Sequence, residues 1–212
     1  MELIIHIFEI IGSIAFAVSG VTIAMERDLD IFGATVVGVL TAVGGGLTRD
    51  VILGYLPPTL FRDPTFVLVA FLTCVSVFLL FFHFKSSFAK YFEKLHSVIN
   101  VFDAIGLGIF VAVGMTGAIN AGFGNNGFLL VFVGTITGVG GGLLRDVLVG
   151  TIPYVLKKHV YAVAAIIGAL VYLLTYRLGL PSIASYILCP AVIITIRMLA
   201  TKYKWNLPRF KL

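Results

Sequence analysis

Of the 212 residues, 59% are hydrophobic and only 12% are charged, and the mean hydropathy is +1.08. A soluble domain is roughly 45–50% apolar and about 25% charged, so the composition excludes a soluble globular enzyme, a disordered chain and a disulfide-stapled secreted domain. The net charge of +5 comes from basic residues scattered among loops, which fits membrane topology and not a nucleic-acid-binding face.

Taken in chain order, apolar runs fall at 3–24, 32–54, 65–84, 98–120, 127–149, 159–176 and 183–200. A helix crossing the hydrocarbon core needs about 20 residues, so seven transmembrane helices are predicted, in an all-α membrane protein. Pro57 and Pro58 end the second run, Pro64 precedes the third, Pro153 follows the fifth and Pro181 precedes the seventh, each where the missing N–H stops or starts a helix. Cys74 and Cys189 lie within apolar runs and read as small core residues. His6, His83, His96 and His159 fall near the predicted interfaces, as do Tyr203 and Trp205 at the end of the seventh run.

Lys and Arg in the loops set the orientation. One side carries Arg27, Lys85, Lys90, Lys94, Lys157, Lys158, Lys202, Lys204, Arg209 and Lys211, and the other only Arg62 and Arg177, a count of 10 against 2. The N-terminus is therefore expected outside and the C-terminus in the cytoplasm.

The chain repeats itself. Residues 38–57, GVLTAVGGGLTRDVILGYLP, match residues 134–153, GTITGVGGGLLRDVLVGTIP, at 12 of 20 positions with an offset of 96. A weaker match at offset 94 pairs Glu9 with Asp103, Gly12 with Gly106, Phe16 with Phe110 and Gly20 with Gly114. Each half holds three spans. Because three is odd, the second half enters the membrane the opposite way up, an inverted repeat of the kind that builds transporters and some channels. One transmembrane domain over 1–212 is expected: repeat one at about 1–84, repeat two at about 98–176, an extra helix at about 183–200 and a basic tail at 201–212.

Two features of the repeat suggest function. Gly44, Gly45 and Gly46, and likewise Gly140, Gly141 and Gly142, lie inside the second and fifth spans. Glycine costs about 1 kcal/mol against Ala per helical position, so three in succession predict a kink or unwound stretch whose bared carbonyls could coordinate a cation. The competing reading is close packing, since Gly134, Gly138 and Gly142 follow a GxxxG spacing and Gly38, Ala42 and Gly46 nearly repeat it. Second, Arg49–Asp50 and Arg145–Asp146 follow the glycines, and Glu9 and Asp103 sit within the first and fourth spans. A charge at bilayer depth costs at least about 2.5–3.5 kcal/mol and needs a partner. Adjacent helical residues point about 100° apart, so each Arg is expected to turn away from its neighbouring Asp. The inverted symmetry predicts two acid–base clusters, one towards each membrane surface: Glu9 with Arg49 and Asp50, and Asp103 with Arg145 and Asp146. These read either as static pairs fixing the packing or as gates on an ion path.

The paired GGGLxRD segments, each followed by a Gly and a Pro in a seven-span chain of this length, resemble the prokaryotic trimeric intracellular cation (TRIC) channels, overlapping the bacterial proteins labelled glycine transporters. The resemblance covers about residues 1–200. It implies a homotrimer with a pore in each protomer, monovalent cation passage with K⁺ as the expected ion and Na⁺ as a second candidate, and glycine-kinked second and fifth spans shaping the path. It carries Gly44, Gly45, Gly46, Arg49, Asp50, Gly140, Gly141, Gly142, Arg145 and Asp146 over as pathway residues. The Lys-Glu-Val signature of animal members is absent. A cation channel of the prokaryotic inner membrane is thus expected, not an enzyme, with no cofactor, no nucleic-acid or soluble protein partner, and membrane lipid around it. A transporter of a small zwitterion such as glycine is the alternative, and a structural or lipid-scrambling protein a weaker third.

Overall fold

The computed structural model describes residues 2–84, 92–157 and 160–205, without the side chains of 2 and 92–97. Lys85, Lys90, Lys158, His159, Arg209 and Lys211, and the side chains of Lys94 and His96, lie outside the described residues.

The apolar runs fold as helices in the expected order. They are α1 (Glu2–Met25), α2 (Ile31–Leu53), the single turn α3 (Thr59–Arg62), α4 (Thr65–His83), α5 (Phe92–Ala118), α6 (Gly127–Leu148), the single turn α7 (Tyr154–Lys157), α8 (Tyr161–Arg177) and α9 (Ser182–Lys202). Among the described residues six helices are long and apolar enough to cross a membrane, and α8, with 17 residues, is a shorter apolar helix. At 1.5 Å per residue it is about 25 Å long, at the lower limit for a span. A π-helical turn (Ile119–Phe123), with Gly122 at φ 90°, closes α5.

Both halves obey one local grammar. Asp30 caps α2 by accepting from Gly33 N–H at 2.7 Å, and Asn126, 96 residues on, caps α6 by accepting from Leu129 N–H at 3.1 Å. Both helices end alike. Tyr55 N–H donates to Asp50 O at 2.8 Å and Gly54 N–H to Val51 O at 3.2 Å; Thr151 N–H donates to Asp146 O at 2.8 Å and Gly150 N–H to Val147 O at 3.1 Å. This is a Schellman closure, and the left-handed residue it needs is Gly54 at φ 77° and Gly150 at φ 68°.

In the first half α1, α2 and α4 pack on one another, and in the second α5, α6 and α8 do the same. The halves meet through α2 against α6 and α1 against α5. Contacts across this seam are reciprocal. A Cβ on Gly45 would collide with the carbonyl oxygen of Thr137, and one on Gly141 with the carbonyl oxygen of Thr41. Phe16 and Phe110 face each other with ring centroids 5.3 Å apart. Gly12 makes room for the Phe110 ring and Gly106 for that of Phe16. Residue i meeting j while the equivalent of j meets the equivalent of i is the mark of a two-fold relation. With three spans per half, the repeat is inverted. α9 has no counterpart; it packs mainly on α5 and α8 of the second half and touches the first through Tyr186, whose ring centroid lies 5.7 Å from that of Phe8 on α1.

The structure corrects the expectation of an unwound glycine stretch. α2 and α6 run as unbroken helices through Gly44, Gly45 and Gly46 and through Gly140, Gly141 and Gly142. The reason is geometric: missing side chains let the two backbones cross in contact. Gly44 and Gly45 face Leu144 and Thr137, Gly140 and Gly141 face Gly45 and Thr41, and a Cβ on Gly140 would lie 3.3 Å from Gly45 Cα. The third glycine of each run faces its own half. A Cβ on Gly142 would lie 3.2 Å from Tyr161 Oη and 3.7 Å from Asp103 Oδ1, while Gly46 has only Arg49 Nη2, at 3.9 Å. The first two glycines of each run thus face the partner helix and the third faces the charge cluster of its own half, closely packed at Gly142 and open to the cavity at Gly46. Cys74 and Cys189 are buried free thiols.

Candidate functional site

Each motif ends on an Arg–Asp pair built the same way. Arg49 Nε donates to Asp50 Oδ1 at 2.9 Å, and Arg145 Nε to Asp146 Oδ1 at 2.8 Å. The neighbours therefore pair, against the expectation that they diverge. The arginine stem is long enough to curl across the 100° between adjacent helical positions and bring Nε back to the carboxylate. The second carboxylate oxygen is also taken. Asp50 Oδ2 accepts from Thr59 N–H at 2.7 Å, and Asp146 Oδ2 from Tyr154 N–H at 2.6 Å. Thr59 opens α3 and Tyr154 opens α7, so each Asp caps the short helix after its own span. The cis-proline-containing turn and its symmetric partner are thereby tied back to the motif.

At the Asp103 end, three acid–base side chains meet as the sequence reading expected. Arg145 Nη1 donates to Asp103 Oδ1 at 2.7 Å and to Ser19 Oγ, on α1 of the other half, at 2.7 Å. Arg145, Asp103 and Asp146 are each at most 3% exposed, so every charge rests on another. They floor a cavity of about 370 Å³, whose wall includes Asn100 and Tyr154 and whose outer part carries Glu26, Arg27 and Lys157.

The other end is looser. Glu9, Arg49 and Asp50 line one cavity of about 80 Å³ together with Ser13, Thr59 and Phe110. Glu9 shares the cavity but, among the described residues, forms no direct ion pair with Arg49, whose bridge at 2.8 Å goes to Asp50. The Arg49 side chain keeps 13% of its surface exposed, against 2% for Arg145.

Sequence reasoning missed Arg197. It lies on α9, is wholly buried, and approaches Asp103 Oδ2 at 3.8 Å with its guanidinium 4.5 Å above the Tyr161 ring. A charged residue inside the apolar run 183–200 was the available signal. Searching for charges matched across the two repeats passes over it, because α9 has no repeat partner. Tyr161 and Ser19 were missed too, because each is one of several polar residues in its apolar run and no spacing singles it out.

Comparison with known proteins places this geometry. The family described as glycine transporter matches residues 6–81 and 100–177, one segment per half. The UPF0126 inner membrane protein YadS of Escherichia coli K12 is 36% identical over 212 residues, covering 99% of this chain and 98% of that protein. A chain solved in work on the structural basis for conductance through TRIC cation channels is 36% identical, with TM-score 0.84 over 98% of this chain and 97% of that one. A TRIC orthologue from Rhodobacter sphaeroides is 27% identical, with TM-score 0.85 over 95% of this chain and 99% of that one.

Proposed function

Because the chain belongs to the bacterial membrane-protein family described as glycine transporter, which it shares with the prokaryotic TRIC channels, we propose that it is a monovalent-cation channel, with K⁺ as the permeant ion and a path inside each protomer of a homotrimer. It sits as a multi-pass protein in the bacterial inner membrane, N-terminus outside. The two cavities enter from opposite ends of the two-fold seam and share no lining residue. Between them stand the Phe16 and Phe110 rings and the crossing of α2 with α6, which gives a path closed at its middle.

The observation that carries the channel reading over the transporter reading is the continuity of α2 and α6. A zwitterion site at a broken helix uses free N–H groups for the carboxylate and free carbonyls for the ammonium. Unbroken helices offer neither, since their backbone groups are spent within the helix.

The gating elements are the arginines. Asp50 and Asp146 are each held twice, once by Arg and once by a backbone N–H, so they stay in place if the Arg leaves. Each is then a fixed acid that favours cations, and its Arg is a tethered counter-charge that neutralises it when docked. This resolves the difficulty that a pore lined by bare arginines repels cations. Arg49, less buried and held by fewer groups, releases more readily than Arg145.

Purified protein in planar bilayers tests the reading. Unitary K⁺ currents are expected; saturable glycine uptake without such currents refutes the channel. Arg49→Ala and Arg145→Ala are expected to raise open probability, and unchanged gating in both removes the arginines from the gate.

A further inference from the structure

The duplication equips the two ends alike. Each receives two acids and one arginine: Glu9, Asp50 and Arg49 at one end, Asp103, Asp146 and Arg145 at the other. The helix outside the duplication breaks the balance. α9 brings Arg197 to the Asp103 end, and its other charged residue, Lys202, lies in its last turn. Two small residues seat α9 there. A Cβ on Gly108 of α5 would lie 2.9 Å from Pro190 Cα, and one on Gly168 of α8 would meet Ile193. That close approach sets Arg197 opposite the one Asp103 oxygen that Arg145 does not take. Among the described residues Asp103 Oδ2 has no hydrogen-bond partner, and the Arg197 guanidinium stands 3.8 Å from it.

We infer that Arg197 is a positioning and charge-balancing residue that makes the two ends of the cation path electrically unequal, so that the channel rectifies. The inference rests on the cation-channel reading. At the Glu9 end the acids outnumber the arginines by one. At the Asp103 end Arg145 and Arg197 balance Asp103 and Asp146. An excess acid in a low-dielectric mouth raises the local cation concentration and the entry rate, so cations enter more readily from the Glu9 end. Arg27 and Lys157 against Glu26, further out in the Asp103-side cavity, act in the same direction.

Single-channel current–voltage relations in symmetrical KCl decide it, measured on the full chain reconstituted in planar bilayers. Wild type is expected to rectify. Arg197→Gln leaves an excess acid at both ends, so its relation approaches linearity and the current in the weaker direction rises about twofold, the effect of one partly screened unit charge. Arg197→Lys keeps the charge and the wild-type ratio. Asp103→Asn with Arg197→Gln restores the balance and with it the rectification, which a purely structural role for Arg197 does not explain. Asp103→Asn alone leaves an excess positive charge and steepens the rectification. A symmetrical wild type, an Arg197→Gln variant with the wild-type ratio, or an Arg197→Lys variant that behaves like Arg197→Gln overturns the inference while leaving the channel standing. If Arg197→Gln yields no protein, Asp103→Asn decides: a steeper relation supports the inference and an unchanged one overturns it. A wild type without unitary cation current removes the channel reading, and the inference with it.

Discussion

Asp146 and Asp50 occupy equivalent places but face different losses. Removing Asp146 leaves Arg145, which is 1% exposed, with Asp103 and Ser19 as its remaining polar partners, and strips the cap from Tyr154 N–H. Breaking a buried pair from one side costs about 3–5 kcal/mol. Asp146→Ala is therefore expected to lower thermal stability in detergent by an amount near that range. Asp50→Ala is expected to cost less, because the partly exposed Arg49 can turn to water or to Glu9. Melting curves that place Asp50→Ala at or below Asp146→Ala would show that burial of the arginine does not set the difference. At this scale the sequence was readable where charges repeat at a fixed offset. It was unreadable for Arg197 and for the adjacent Arg–Asp pairing, because helix geometry describes where Cβ points and not where a four-bond stem ends.

The two crossing helices show how one residue type serves three directions. In each run the first two glycines admit the partner helix, and the third faces a charge cluster. Gly45→Ala and Gly141→Ala each put a methyl against a backbone carbonyl that cannot move aside. Overpacking of this kind costs about 1–3 kcal/mol, or more where backbone must shift. Both variants are expected to give little folded protein by fluorescence-detected size-exclusion chromatography. Gly46→Ala meets only Arg49 Nη2, at 3.9 Å, and exchanges a poor helix former for a good one. It is expected to fold at least as well as wild type, with a gain of up to about 1 kcal/mol. Equal behaviour of the Gly45 and Gly46 variants would refute the crossing as the reason for the triplet. Consecutive glycines alone do not say whether a helix is broken or merely bare on one side. The partner's position decides that.

Across the molecule, the exposed surface is apolar along most of its length. Phe32, Leu68, Phe71 and Leu72 on α2 and α4, and Leu174 and Ile187 on α8 and α9, all face outwards. Such a surface needs lipid or neighbouring protomers around it. Native mass spectrometry of the detergent-extracted protein is expected to show three copies, and a monomer as the sole species would contradict the trimer. The count of loop charges adds a test of orientation. A cysteine placed at Arg62 and one placed at Lys204 are expected to react with a membrane-impermeant thiol reagent from opposite sides of intact cells, Arg62→Cys from outside. Labelling of both from one side would invert or break the topology.

The amino-acid sequence by itself determined the number of spans, their limits to within a few residues and the duplicated motif. Hydropathy, proline positions and a repeat at constant offset are local or one-dimensional signals. It also brought Asp103, Arg145 and Asp146 together, because the inverted symmetry relates their depths. Only the tertiary structure decided that the glycine runs are crossing points, that each Asp caps the following turn, and that α9 lends one end a second arginine. Those outcomes depend on which helix lies against which face, and helices distant in the chain meet by packing that no local pattern encodes.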